Sequence, residues 1–288
     1  MSPRASDAAG SAPGEHDRLG EHARRASSFG AAAHAYATHR PDYPAAAVAW
    51  SLEPAERLAA RQGRPARVID LGAGTGKLTA HLAALTLAGH RAEVTAVEPD
   101  PDMLAELHTQ LPEVRAVAGR AEEIPLPDGA ADAVLAGQAA HWFDLDLALP
   151  EIARVLAPGG AFAGLWNADD DRVGWVAGLH RISGRANVIA YSSLEDDKEE
   201  DGILRWLAGP GSGLFRPGEG AGFPHGQVRT AESLVATMRT HSMFLIMEPA
   251  ERERVLGAVA DYLAATPETA SGEFTLPLWT MALRAVRR

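Results

Sequence analysis

From Arg67 onward the chain alternates short apolar runs with stretches of helical period. The runs lie at Arg67–Leu71, Val94–Glu98, Val114–Val117, Ala131–Leu135 and Ala161–Trp166; helical stretches fall between most of them, at Lys77–Ala88, Pro101–Leu111 and Leu147–Leu156. Continuous apolar runs, unlike alternating ones, suit strands buried on both faces, and strands separated by helices pair in parallel. The pattern predicts an α/β fold. Asp100 before Pro101 supplies an N-cap and a first-turn proline for the second of those helices. Upstream, a helix is predicted over Ala45–Gln62, and an Ala-rich one from Phe29 that ends near Pro41. Residues 1–25 mix Ser, Ala, Gly, Pro and charges without period, which reads as a disordered tail ahead of one domain over 26–288.

After Trp166 the alternation stops. Residues 171–224 hold an acidic run, Glu195 to Asp201, and a Gly/Pro-rich one, Gly209 to Gly222. A long irregular segment in a compact domain reads as a lid or binding insert. Order returns with helices near Glu232–Arg239 and Pro249–Ala265 and a strand around Phe274–Ala285.

Composition narrows the chemistry. The 288 residues include no cysteine, which removes disulfides, thiolate metal sites, cysteine-held iron–sulfur clusters and a catalytic thiol. No uncharged apolar run approaches the ~18 residues that cross a bilayer, and the polar N-terminus lacks the apolar core of a secretory signal. The net charge of −11 repels phosphate backbones, so no nucleic-acid partner is expected. A cytoplasmic protein acting on a small molecule is the expectation, with its oligomeric state left open.

The strongest feature is Val68-Ile-Asp70-Leu-Gly72-Ala-Gly74-Thr75-Gly76-Lys77, an apolar strand running through three glycines into a helix. Such a turn lets a ligand approach the backbone and aims a helix N-terminus at it. A phosphate-binding P-loop is excluded, because Leu71 stands where its first glycine belongs and Leu78 where Ser or Thr is required. A dinucleotide turn fails as well, since Lys77 occupies the third glycine position. What stands is GxGxG with Asp70 two residues before it. Glu98 closes the second strand, 22 residues after Gly76, where a carboxylate accepts from ribose hydroxyls. The plainer alternative is that Asp70 and Glu98 only cap neighbouring helices.

Asp70-Leu-Gly72-Ala-Gly74-Thr-Gly76, Ala96-Val-Glu98-Pro99, Gly119-Arg-Ala121-Glu122, Gln138-Ala-Ala-His141-Trp142-Phe143 and Leu156-Ala-Pro158-Gly159-Gly160 stand in this order. Together they resemble the class I S-adenosylmethionine-dependent methyltransferases, over about residues 28–170. The opening Phe29, Tyr36, Arg40-Pro41 and Tyr43-Pro44 is similar to the small-molecule branch that includes trans-aconitate methyltransferase-like proteins. The resemblance implies a Rossmann-like, mostly parallel seven-stranded sheet with helices on both faces and a lid or acceptor-binding insert over 171–224.

It also implies roles. Gly72, Gly74, Thr75 and Gly76 would pass beneath the methionine part of S-adenosyl-L-methionine, with Asp70 supporting the turn. Glu98 would hold the ribose, Pro99 and Met103 would flank the adenine, and Ala121 and Glu122 would read its edge. Tyr36 and Arg40, at i and i+4 on one helical face, would clamp the cofactor carboxylate. Gln138 would face the cofactor amino group and Trp142 the sulfonium or the acceptor. His141 is the candidate base or acceptor-orienting group, since imidazole titrates near neutrality; a purely loop-holding His fits the residues equally. Tryptophans 142, 166, 175, 206 and 279 suit an apolar acceptor pocket, and core packing suits them too.

The expected activity is methyl transfer to an O, N or C atom of a small organic acceptor, leaving S-adenosyl-L-homocysteine. The alternative is a protein of this fold that binds the cofactor in a non-methylating or scaffolding role. Asp169-Asp170-Asp171 and Asp144 stand where metal-assisted catechol methylation places its ligands, but an acidic cluster reads first as a helix start or solvated turn, and no metal is expected. The Pro-Pro-aromatic signature of base-amine methylation is absent after the fourth strand.

Overall fold

The computed structural model describes residues 41–87, 89–184, 203 and 207–288. The predicted helix from Phe29, the acidic run Glu195–Asp201 and Trp206 lie outside the described residues.

Helix α1 (Ala45–Gln62) buries Ala47, Val48, Leu52, Ala55 and Ala59 along one face and stops at Gly63, whose left-handed φ of 62° lets its N–H reach back to the carbonyls of Ala59 and Ala60. Five parallel strands follow: β1 (Arg67–Leu71), β2 (Glu93–Glu98), β3 (Arg115–Ala118), β4 (Ala131–Gly137) and β5 (Leu156–Asp169). Between them run α2 (Lys77–Ala84), α3 (Pro101–Gln110) and α4 (Leu145–Val155). Strands β6 (Glu219–Arg229) and β7 (Phe274–Val286) complete a seven-stranded sheet of order β3-β2-β1-β4-β5-β7-β6, in which β7 runs opposite to the other six. The order reverses between β1 and β4. In open α/β sheets that switch point opens a crevice at the carboxyl ends of the strands.

Two apolar layers hold the sheet. Val48, Leu52, Leu78 and Leu82 of α1 and α2 pack on Val68, Leu135 and Leu165, while Leu149 and Ile152 of α4 pack on Ile69, Val134 and Phe162 on the other face. Each fully buried Leu contributes about 2 kcal/mol. Beneath the opposite, amino-terminal edge, the fully buried Asp132 ties β4 to β1. It accepts from both guanidinium nitrogens of Arg64 at 2.6 and 2.8 Å and from the Arg67 backbone N–H at 2.9 Å. Those cations hold its carboxyl down, at about 2.

A third cluster sits past the carboxyl edge of the outer strands. Helices α5 (Gly174–Ser183), α6 (Ala231–Arg239), the short α7 (Ser242–Leu245) and α8 (Pro249–Ala265) join Trp175, Leu179, Leu234, Met238, Phe244 and Val259 to Phe274, Leu276 and Leu278 of β7. α6 opens with a capping box, Thr230 and Ser233 bonding each other's backbone N–H.

Two sequence expectations are corrected. The helix predicted over Lys77–Ala88 ends at Ala84, because Thr86–Leu87 pairs with His90–Arg91 in a small hairpin turning at Gly89. The segment 171–224 is not wholly irregular where it is described: it contains α5, and its Gly-rich end becomes the first half of β6. The glycines there concealed a strand. Gly222 lies under the Trp279 ring, where a Cβ would come within 2.0 Å of Cζ2, and Pro224 is tolerated because β6 is an edge strand.

Candidate functional site

The glycine turn leaves β1 at Leu71, and Gly72, Gly74 and Gly76 all take left-handed φ values of 69°, 57° and 91°. Gly72 donates to the Val97 carbonyl at 2.9 Å, which sews the turn to β2. A Cβ on Gly72 would stand 2.7 Å from that of Ala139, so the turns after β1 and β4 touch. Thr75 is buried within the turn.

Glu98 ends β2 only 6% exposed, and both its oxygens are engaged by backbone: Oε2 accepts from Gly74 N–H at 2.8 Å and Oε1 from Asp100 N–H at 2.9 Å. Burial raises its pKa, and those two N–H groups oppose the rise. A carboxylate offers about four acceptor sites, so two remain for hydroxyl donors. Asp100 caps α3 through Asp102 and Met103 N–H, which seats the buried Met103 beside Gly74, while Pro99 is exposed in the bend between.

Asp70 lies beneath the turn. Its Oδ2 accepts from Thr79 Oγ1–H at 2.6 Å, whereas the buried Oδ1 has no hydrogen-bond partner among the described residues. Desolvation pushes this carboxyl up to about 7. A buried acceptor held unfilled behind a ligand-facing turn fits a site that receives a cationic or donor group.

Beyond β3, Ala121 is buried, and Glu122 Oε1 accepts from Asp144 N–H at 3.0 Å, linking the loops after β3 and β4. One of its oxygens is thereby already committed. Gln138, first after β4, is the one non-glycine with positive φ among the described residues, at 54°. A side chain in that region stores about 1–3 kcal/mol, which persists where surrounding bonds over-determine it. Here its N–H donates to Leu165 O and its Nε2 to Asn167 O, both at 2.8 Å.

His141 and Trp142 follow in a short 3₁₀ turn with ring centroids 4.8 Å apart. Trp166 Nε1 donates to His141 Nδ1 at 3.3 Å. Indole N–H is only a donor, so Nδ1 accepts and the neutral ring carries its proton on Nε2. With Nδ1 so engaged, that nitrogen does not serve as a base.

The structure thus gathers Asp70, Gly72, Gly74, Glu98, Met103 and Gln138 at the switch point, with Ala121, Glu122, His141 and Trp142 on the next loops. Tyr36 and Arg40 lie outside the described residues. The acidic candidates for a metal are otherwise employed: Asp169 Oδ2 is 3.0 Å from His180 Nε2, Asp170 holds Arg172 at 2.7 and 2.8 Å, and Asp144 caps α4. Trp175 packs edge-on against Phe274, and Trp279 lies under Arg172, so these tryptophans serve packing. Sequence reasoning missed Thr79, Asn167, Thr280 and His225. Only Thr79, three residues after Gly76, carries a positional signal.

A 3-2-1-4-5-7-6 sheet with a glycine turn at the switch point and an acidic residue ending β2 defines a class I methyltransferase scaffold. Comparison with known proteins agrees. Residues 69–164 match the methyltransferase domain family. An uncharacterised methyltransferase of Mycobacterium tuberculosis is 39% identical over 265 residues, covering 90% of this chain and 95% of its own. An uncharacterised methyltransferase-like protein of Schizosaccharomyces pombe is 34% identical over 237 residues, covering 80% and 83%. A solved structure provisionally assigned as a type II methyltransferase, from Anaeromyxobacter dehalogenans, is 25% identical with a TM-score of 0.59, covering 86% of this chain and 97% of that one. The chain belongs to the class I S-adenosylmethionine-dependent methyltransferases and is an enzyme of that family. Among the described residues, no helix is long and apolar enough to cross a membrane.

Proposed function

We propose that this chain binds S-adenosyl-L-methionine at the switch point and methylates an O, N or C atom of a small organic molecule by direct in-line transfer, releasing S-adenosyl-L-homocysteine. The observation that carries the cofactor reading is Glu98, whose carboxylate is pinned by Gly74 and Asp100 N–H with acceptor capacity left for a ribose diol. Asp70 Oδ1 adds an unfilled acceptor beneath the turn.

The bound cofactor supplies a methyl group already activated on a sulfonium. The chain's own part is positioning and exclusion of water. Gly72, Gly74, Thr75 and Gly76 form the floor, Met103 and Pro99 flank the base, Ala121 and Glu122 line its edge, and Gln138 turns its strained backbone toward the amino-acid end. Tyr36 and Arg40 are proposed to hold the carboxylate. His141, with Nδ1 committed to Trp166, orients the acceptor as a hydrogen-bond donor beside Trp142. The acceptor lies against the outer half of the sheet, where the α5–α8 cap borders the carboxyl edge.

Calorimetric titration with S-adenosyl-L-homocysteine, with NAD as control, tests the reading. Micromolar binding of the first and none of the second is expected. Failure to bind the first would remove the proposal.

A further inference from the structure

On the α1-side face of the outer strands, at their carboxyl ends, hydrogen-bonding side chains stand where apolar ones would be expected. Asn167 of β5, Thr280 of β7 and His225 of β6 form a chain with one internally consistent set of protons. Asn167 Nδ2 lies 3.4 and 3.2 Å from the Pro41 and Asp42 carbonyls, which only accept, so Nδ2 is fixed as the amide's donor end. Its Oδ1 therefore accepts from Thr280 Oγ1–H at 2.5 Å. A threonine hydroxyl has one proton, and this bond uses it. His225 Nε2, 2.9 Å from the same Oγ1, must then be the donor. The neutral ring is left with its lone pair on Nδ1, to which no described residue bonds. Desolvation lowers the pKa of His225 against the opposing pull of the Asp42 carboxylate, so the ring is neutral near pH 7.

Two residues along the same strand face, the buried Gln227 Oε1 also lacks a hydrogen-bond partner among the described residues. A two-residue step spaces these acceptors by about 6–7 Å along β6. Their place is at the working edge of the sheet: His225 pairs with Leu278, which pairs with Asp169, the last residue of β5. Gln138 reaches the same chain through its bond to Asn167 O. From β4 to β6 is three ladder steps, about 14 Å, which is too far for a base at the transferred methyl but suits the far end of an acceptor.

We propose that His225 Nδ1, with Gln227 Oε1 beside it, receives a hydroxyl or N–H donor group of the molecule being methylated, and that Asn167 and Thr280 are positioning residues that hold His225 in this tautomer. The specificity is for a donor-bearing acceptor, and this rests on the methyl-transfer reading above.

The test uses the full chain labelled uniformly with ¹⁵N, with and without S-adenosyl-L-homocysteine. Phenol is the donor probe, and anisole, which lacks the O–H, is its control. The expected spectrum of His225 at pH 8 has the proton on Nε2. Phenol should move the Nδ1 resonance while anisole leaves it, and in His225→Phe the phenol-induced shifts of surrounding amides should weaken at least tenfold. A proton on Nδ1, or equal responses to the two probes, overturns the proposal. Thr280→Val should release the ring to both tautomers and Thr280→Ser should restore one; an unchanged tautomer in Thr280→Val overturns the positioning role. If Thr280→Val does not fold, the phenol–anisole comparison on the native chain still decides. Probe discrimination without S-adenosyl-L-homocysteine binding would sink the methyl-transfer reading alone. Cofactor binding without discrimination would sink this one alone.

Discussion

The two halves of the sheet solve the same problem differently. On the β1–β4 side, ligand-facing groups sit at strand ends and are fixed by backbone: Gly74 and Asp100 N–H hold Glu98, and Val97 O holds Gly72. On the β5–β7–β6 side, side chains far apart in sequence hold one another, as Asn167 and Thr280 do across 113 positions. A site built on backbone is set by the fold itself and tolerates little change. One built from side chains can be re-specified without disturbing the sheet. On the proposed function, the half that holds the cofactor would therefore resist change, and the half that holds the acceptor could be re-specified within one domain.

The sharpest way to break this contrast is a pair of substitutions. Gly72→Val places a branched side chain at a φ of 69° with its Cβ 2.7 Å from that of Ala139, so the turn must move. Affinity for S-adenosyl-L-homocysteine should fall by about a hundredfold or more, the equivalent of roughly 3 kcal/mol. His225→Phe should leave that affinity within about twofold, because it lies four ladder steps, about 19 Å, from the strand that carries the turn. Equal losses in calorimetry would show that the halves are not separable.

Asp132 ranks next, and it tests whether the cofactor half is also the more rigid. Asp132→Asn leaves Arg64 and Arg67 facing a neutral amide at a fully buried position, which should reduce stability by about 3 kcal/mol. The folded carboxyl titrates at about 2, below its ordinary value of 3.8, so it stabilises the native state above pH 4 and loses that contribution as pH falls toward 2. Denaturant unfolding should therefore show the wild-type advantage shrinking over that window. An advantage that persists at pH 2 would remove the ion pair as its cause.

The same contrast explains what could be read without coordinates. β1, α1 and α8 have the predicted bounds because their periods are local and their ends carry punctuation, such as Gly63 and Pro249. Asp70, Glu98 and the glycines were readable for the same reason, since spacing along one βαβ unit places them. β6 was hidden because Gly220, Gly222, Pro224 and Gly226 lack strand propensity; their place in the sheet comes from Trp279 and Thr275 on β7, more than 45 residues on. His225 was hidden twice, by its strand and by a proton order that depends on Thr280 and Asn167. His141 was found, but its tautomer depends on Trp166, 25 positions away.

Asp70 sharpens the comparison from within the cofactor half. Its folded carboxyl titrates at about 7, above the ordinary 3.8, so the native state is favoured below pH 4 and loses that contribution as pH rises through 7. Asp70→Asn keeps an acceptor for Thr79 and has nothing to ionise. Relative to wild type it should be near neutral at pH 4 and more stable at pH 8, by about 2 kcal/mol or several degrees in Tm. If the gap stays constant across that range, the buried carboxyl is not strained by its charge. The accompanying expectation is weaker S-adenosyl-L-homocysteine binding, since the stability given up here serves the ligand.

The smallest effect belongs to a side-chain bond that crosses between the halves where the loop after β4 meets β5. Trp166→Phe removes the donor to His141 Nδ1 while keeping an aromatic ring in the core, and should lower stability by only about 1 kcal/mol. Its informative consequence is chemical. With Nδ1 released, His141 can place its proton on either nitrogen, and a donor at Nε2 is no longer assured. The ¹⁵N spectrum of His141 should change from one tautomer to a mixture, with cofactor affinity unchanged. An unaltered tautomer in Trp166→Phe would mean that the cofactor half sets His141 by itself, and that the division between a backbone-built and a side-chain-built half extends to the loop where the two meet.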